Sequence, residues 1–247
     1  MHKASECLAA GTNFRLLGPN STMLKSSKPV IAICAVRTGS GKSQTTRKIG
    51  RILKKAKKKG VVIRHPMPYG NLVKQEMQRY GSISDLKKHK ATIEEREEYE
   101  KHIREGLVVY AGVNYEKILR HAEKEADIIL WDGGNNDFSF IRPNLLFVVV
   151  DPLRAGDEMH YHPGETNLRM ADVVIINKEN DAHHAQIQVT TKNIKHFNPR
   201  AQVIHAESAL STESRVNLRG KRVVVVEDGP TVTHGGMPYG AGTVFAR

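Results

Sequence analysis

The stretch Arg37-Thr38-Gly39-Ser40-Gly41-Lys42-Ser43 lies between two runs of opposite character, and this constrains the fold more than any other feature. Before it, residues 31–36 are short, apolar and partly β-branched, the pattern of a buried parallel strand. After it, Ile49, Ile52, Leu53 and Ala56 recur at helical spacing, with Lys and Arg on the other faces. A glycine-bearing turn between a strand and a helix lets several backbone N–H groups converge on an anion, and the helix N-terminus adds a favourable dipole. In such a loop Lys42 neutralises the β- and γ-phosphates of a nucleotide and the Ser43 hydroxyl ligates magnesium.

The full phosphate-loop pattern has a glycine five positions before Gly41, where this chain has Val36. The loop resembles more closely the deviant form found in dimerising P-loop ATPases and GTPases, in which a second basic residue stands five before the loop lysine. Arg37 occupies that position, and the resemblance leaves a homodimer open. The nucleotide contacts expected on this basis are Arg37, Thr38, Gly39, Ser40, Gly41, Lys42, Ser43 and Gln44.

Charge points to the same region. The net charge is +12, and fifteen Lys and Arg fall between Cys7 and Gln75 with no Asp or Glu among them. Two ligand classes fit such a field, a nucleic acid or small phosphorylated molecules focused into a cleft. The densest run, Lys54-Lys55-Ala56-Lys57-Lys58-Lys59, falls in the last turns of the expected helix, where cations suit the dipole and a solvated face suffices as explanation. Aromatics are 6% of the chain and none interleaves that run, so base-stacking platforms are absent from it. Nucleic acid is therefore not the expected partner.

A chain of 247 residues holds one principal core. Cys7 and Cys34 are far apart in sequence and give no disulfide or zinc framework, which fits a reducing cytoplasm. No apolar stretch has transmembrane length, and no membrane partner is expected. Strand-like runs recur at 61–64, 107–110, 127–131, 145–151, 172–177, 202–205 and 222–227, with helical patterns between them, for example Tyr115, Ile118, Leu119 and Ala122. The expected fold is therefore α/β, three layers around a mostly parallel sheet, with ligands at the carboxyl ends of the strands. Residues 1–28 read as a leader, the remnant of a preceding domain, and residues 29–228 as the P-loop nucleotide-binding domain. Within it, residues 81–105 are charge-rich and read as an exposed helical insertion. Residues 229–247 form a Gly-rich tail of loop composition.

Other candidate sites close predicted strands. Asp132 follows residues 126–131 and is placed to hold magnesium through its water shell. Asn177-Lys178-Glu179-Asn180-Asp181 resembles the Asn-Lys-x-Asp signature of guanine-binding proteins, but Asn180 stands where the base-reading carboxylate belongs. The motif therefore does not select GTP over ATP, and Asn177 and Lys178 are expected beside the nucleotide. Arg64, His65 and Tyr69 end another strand, and Arg154, His160 and His162 follow a third. The His160 and His162 spacing could seat a metal with Asp157, Glu158 and Glu165, but a second phosphorylated ligand suits these imidazoles and guanidiniums better.

Taken in order, Cys34-Ala35-Val36-Arg37-Thr38-Gly39-Ser40-Gly41-Lys42-Ser43-Gln44-Thr45-Thr46, Arg64-His65-Pro66-Met67-Pro68-Tyr69-Gly70, Trp131-Asp132-Gly133-Gly134-Asn135-Asn136-Asp137 and Tyr161-His162-Pro163-Gly164-Glu165 resemble the cyclic 2,3-diphosphoglycerate synthetase family over most of residues 9–243. Chains of that family are longer at both ends, so the resemblance implies that this sequence corresponds to a central portion. It also implies an ATP- and magnesium-dependent ligase that closes 2,3-diphosphoglycerate into a cyclic pyrophosphate. In that reading Lys42, Arg37 and Asp132 are catalytic, and Ser43 and Asp132 hold the metal. Arg64, His65, Tyr69, Arg154, His160 and His162 hold the substrate. A dimerising nucleotide switch would share the loop and Asp132 without needing a second phosphate site.

Overall fold

A computed structural model describes residues 2–65, 67, 70–134, 137–210, 217–227, 229–233 and 235–246. Two helices come first, α1 (His2–Ala9) and α2 (Pro19–Thr22), and Leu24 then bridges to Ile141 ahead of β1 (Val30–Ala35). Next along the chain are α3 (Lys42–Lys55), β2 (Gly60–Ile63), β3 (Gln78–Tyr80), α4 (Ile83–Lys88), α5 (Ile93–Arg104), β4 (Val108–Ala111), α6 (Tyr115–Glu125), β5 (Ile128–Trp131) and β6 (Leu145–Val150). After a 3₁₀ turn, Pro152–Arg154, come α7 (Asp157–His160), α8 (Gly164–Met170), β7 (Val173–Ile176), α9 (His184–Phe197), β8 (Gln202–His205), α10 (Pro230–Thr233) and α11 (Ala241–Ala246).

The described strands form one eight-stranded sheet in the order β3-β4-β2-β5-β1-β6-β7-β8. Every pairing is parallel except β3 with β4. Side chains alternate between the two faces, as the strand period of two requires. Ala32 and Cys34 of β1 join Ile118 and Leu119 of α6, Leu168 of α8 and Ile194 of α9 on one face. Ile33 and Ala35 join Leu53 of α3, Leu86 of α4 and Tyr99 and Ile103 of α5 on the other. The result is three layers, helix, sheet and helix, the α/β fold expected from the sequence. Burial pushes the Cys34 thiol, which faces the core, up to about 12.

Four segments differ from the sequence reading. Residues 222–227, expected to be a strand, pair with nothing in the sheet. Their four valines have strand propensity, but Val224 and Val226 are 92% and 88% exposed, and a strand exists only where a neighbour completes its ladder. β3 was not expected at all, because Gln-Arg-Tyr carries no apolar run. Residues 81–105 carry α4 and α5, and they are not solvated all round: Glu95, Tyr99, His102 and Ile103 form a buried stripe on α5. Thr92 caps that helix in a reciprocal box with Glu95. The Gly-rich tail contains two short helices, α10 and α11.

This strand order decides where the site lies. β1 occupies the middle, so the loop after it is flanked by the ends of β5 and β2 on one side and of β6 and β7 on the other. The ladders run one residue past the strands there. Val36 N–H donates to the Val149 carbonyl at 3.1 Å, Asp132 N–H to that of Ile63 at 3.0 Å, and Asn177 N–H to that of Val150 at 3.0 Å.

Candidate functional site

The loop is shaped by two glycines in the left-handed region, Gly39 at φ 82° and Gly41 at φ 112°, and Gly41 caps the N-terminus of α3. A Cβ on Gly41 would collide with the Asn177 side-chain amide, so this position tolerates neither the conformation nor the bulk of another residue. Ser40 is buried and its hydroxyl donates to the Arg37 carbonyl at 2.9 Å, closing the turn. From the β7 end, Asn177 Nδ2 donates to the Ser40 carbonyl at 2.9 Å and Lys178 Nζ to the Gly39 carbonyl at 2.7 Å. The loop carbonyls are thus bound from behind. Lys178 itself sits at φ 61° and also reaches Asp151 Oδ2 at 2.8 Å.

Asp132 is the electrostatic centre. It is fully buried, and Lys42 Nζ lies 2.6 Å from Oδ1 while Arg64 Nη1 and His102 Nε2 each lie 2.8 Å from Oδ2. Burial alone would raise the carboxyl pKa. The charges of Lys42 and Arg64 and the His102 contact outweigh it and hold Asp132 well below the usual carboxylate range. Burial lowers the pKa of His102 against the pull of Asp132, which favours a neutral imidazole. Arg64 also pairs with Glu98, and its Nη1 is 3.4 Å from Ser43 Oγ. The Arg64 guanidinium therefore stands between the Ser43 hydroxyl and the Asp132 carboxylate, a cation where a hydroxyl and a carboxylate converge. A magnesium ion takes such oxygen donors, so the residues present fit one.

On the other side of the loop, Arg37 pairs with Asp157 and lies over the Tyr161 ring at 4.8 Å. The hydrogen bond to Asp157 raises the Arg37 pKa. Arg154 Nη2 donates to Asp151 Oδ2 at 2.8 Å, and its Nη1 to the Gly235 carbonyl at 2.6 Å. His65 is 3.3 Å from Asp137, and burial lowers its pKa. His160 and His162 are at the surface, and His162 meets the Phe138 ring edge-on. Among the described residues no group of three His, Cys, Asp or Glu is placed to hold a metal. Gln44 accepts from the Ser208 hydroxyl at 3.4 Å, and Asn180 Oδ1 accepts the Ser208 N–H at 2.9 Å. Asn180 therefore fixes the loop after β8. Tyr69 lies outside the described residues.

The structure thus brings Arg37, Lys42, Ser43, Arg64, Asp132, Asn177 and Lys178 to one edge of the sheet around the loop, and leaves His160 and His162 at the surface. It adds three residues that the sequence reading did not single out, His102 and Glu98 from α5 and Asp151, which joins Arg154 to Lys178, and it gives Asp157, considered as a metal ligand, to Arg37 instead.

No protein-family model matches this chain. Among solved structures, it is similar to the hydrogenase maturation factor HypB from Archaeoglobus fulgidus, with a TM-score of 0.46 and 20% identity over 76% of this chain and 83% of that one. It is also similar to the MinC:MinD cell division protein complex of Aquifex aeolicus, with a TM-score of 0.43 and 20% identity over 72% of this chain and 80% of that one. Among curated proteins, it is 61% identical over 247 residues to arginine synthetase ArcE of Thermococcus kodakarensis. That match takes in 100% of this chain and 55% of the relative, so the chain spans about half the length of the protein it resembles.

Proposed function

We propose that this chain is the nucleotide-binding portion of an ATP- and magnesium-dependent synthetase, in which γ-phosphoryl transfer to an acceptor oxygen turns that oxygen into a leaving group. The observation that carries the reading is the convergence of Lys42, Ser43 and Asp132 on a glycine-shaped loop at the middle of the sheet's carboxyl edge. Lys42, Arg37 and the loop amides stabilise the transferring phosphoryl group. Thr38, Gly39, Ser40, Gly41 and Gln44 complete the nucleotide contacts, with Asn177 and Lys178 supporting the loop from behind. Ser43 and Asp132 hold magnesium, which when bound neutralises charge developing on the phosphate oxygens. ATP, rather than GTP, is the proposed nucleotide, and the cytoplasm the proposed compartment.

The similarity to an arginine synthetase favours a ureido oxygen as acceptor. A guanidinium is formed when nitrogen replaces that oxygen, which leaves readily only once it is phosphorylated. ATP and the ureido acceptor give ADP and a phosphorylated intermediate, and attack by ammonia then releases phosphate. The charge state of the site supports an acceptor without phosphates of its own. Of the guanidiniums the motif resemblance would give to a substrate, Arg64 pairs with Asp132 and Glu98, and Arg154 with Asp151.

A second reading, cyclisation of 2,3-diphosphoglycerate, rests on the motif resemblance and gives Arg64, His65, Tyr69, Arg154, His160 and His162 to the substrate. Phosphorus NMR of the protein with ATP, magnesium and each acceptor in turn separates the two. ADP and phosphate formed only with a ureido amino acid and ammonium, together with arginine, is the expected result. A cyclic pyrophosphate from 2,3-diphosphoglycerate would select the second reading. Hydrolysis of GTP that needs no acceptor would replace both with a dimerising nucleotide switch.

A further inference from the structure

A cavity of about 120 Å³ opens beside the loop, and much of its wall comes from the Gly-rich tail. Gly39, Gln44, Lys178 and Asp181 form one side; Thr231, Met237, Tyr239 and Val244 form the other. The two sides touch closely. A Cβ on Gly39 would stand 2.6 Å from Thr231 Oγ1, so the tail rests on the phosphate loop at a point where only glycine fits. The Gly235 carbonyl takes a hydrogen bond from Arg154, which is joined through Asp151 to Lys178 and so to the carbonyl of Gly39. Gly236, at φ 69°, lies against the Arg37 guanidinium. The tail is therefore linked to both cations that flank the loop.

From this geometry we propose that described residues 229–233 and 235–246 are the closing wall of the nucleotide site, a lid that seats the nucleoside once the phosphates are on the loop. This rests on the nucleotide-binding reading above. Phosphates held at Gly39 to Ser43 place a nucleoside next to Gln44, where the cavity begins. Its composition suits a purine: Leu153, Met237 and Val244 are apolar, and Asp181, Lys178 and Ser208 supply polar groups. The volume is well below the roughly 300–1,000 Å³ of ordinary small-molecule sites, so a nucleoside enters only if one wall moves. The tail is the wall able to do so. Its helices, of four and six residues, are too short to be stable alone, and the Glu227 carboxylate holds it together by accepting the N–H groups of Gly240 and Thr243.

Hydrogen exchange of the protein, with and without saturating ATP and magnesium, tests the lid. The expected result is slower exchange both at residues 37–44 and at 229–246. Slower exchange at 37–44 alone would overturn the lid and leave nucleotide binding standing; no change at either would overturn the nucleotide reading and the lid with it. Glu227→Ala, which releases the tail and leaves the loop intact, is expected to weaken binding of radiolabelled ATP roughly five- to ten-fold, the equivalent of one or two hydrogen bonds. Unchanged affinity in a folded Glu227→Ala protein would count against the lid, and exchange in the unaltered protein decides the matter if that variant does not fold.

Discussion

The Lys42 ammonium is bound to Asp132, 2.6 Å from Oδ1 and 3.2 Å from the main-chain carbonyl of the same residue. The group proposed to meet a phosphate is thus held on the group proposed to meet the metal. Replacing Lys42 by Met leaves Asp132 with Arg64 and His102, so the fold should survive with a modest loss. ATP turnover should fall at least about a hundred-fold, the scale of removing one preorganised charge from a transition state. Urea denaturation and an ADP-release assay on the same preparation check both halves.

Asp132→Asn should invert that balance. It leaves Lys42 buried without its carboxylate and Arg64 with Glu98 alone, and stranding a buried charge costs about 3–5 kcal/mol. Urea denaturation should therefore rank Asp132→Asn well below Lys42→Met in stability. The opposite ranking would show that Asp132 is not the anchor of the cluster.

Lys178 separates backbone strain from function. At φ 61° alanine is as strained as lysine, whereas glycine is not, so Lys178→Gly should be about 1 kcal/mol more stable than Lys178→Ala. Both variants lose the bond to the Gly39 carbonyl, and both should raise KM for ATP by a similar factor. Paired melting and steady-state measurements test this.

Acid stability should depend on Glu125, away from the site. Hydrogen bonds from Arg79, Tyr110 and Lys59 overcome burial and lower its pKa to about 2. The unfolded value is about 4.3, so the folded state holds the carboxylate more tightly deprotonated. The resulting stability is present above about pH 5 and is lost as the pH falls through about 4.3 toward 2. Glu125→Gln should lower the melting temperature at neutral pH and flatten its fall in acid.

Local patterns made part of this molecule legible. Residues 31–43 announce a strand, a turn and a helix in adjacent residues, and Asp132 follows an apolar run, so both could be placed without tertiary information. β3 could not, since an antiparallel edge of three residues owes its existence to β4. The valines of 222–227 misled for the complementary reason, having propensity without a partner. His102 lay hidden just beyond the run Glu94-Glu95-Arg96-Glu97-Glu98, in a segment whose charge suggested a solvated helix. The signal was present in the i, i+4, i+7, i+8 spacing of Glu95, Tyr99, His102 and Ile103, which marks a buried face whatever its polarity.

No membrane-crossing helix occurs among the described residues: none is long and apolar enough. The sheet itself has a different asymmetry. The contact from His102 to Asp132 runs from the helix layer beside β4 to the end of β5, crossing β2 on the way. Fraying α5 therefore means releasing the carboxylate at the centre of the molecule. The β3–α5 margin and the middle of the sheet should unfold as one cooperative unit, and a sequence change on that apparently peripheral helix will be felt at Asp132.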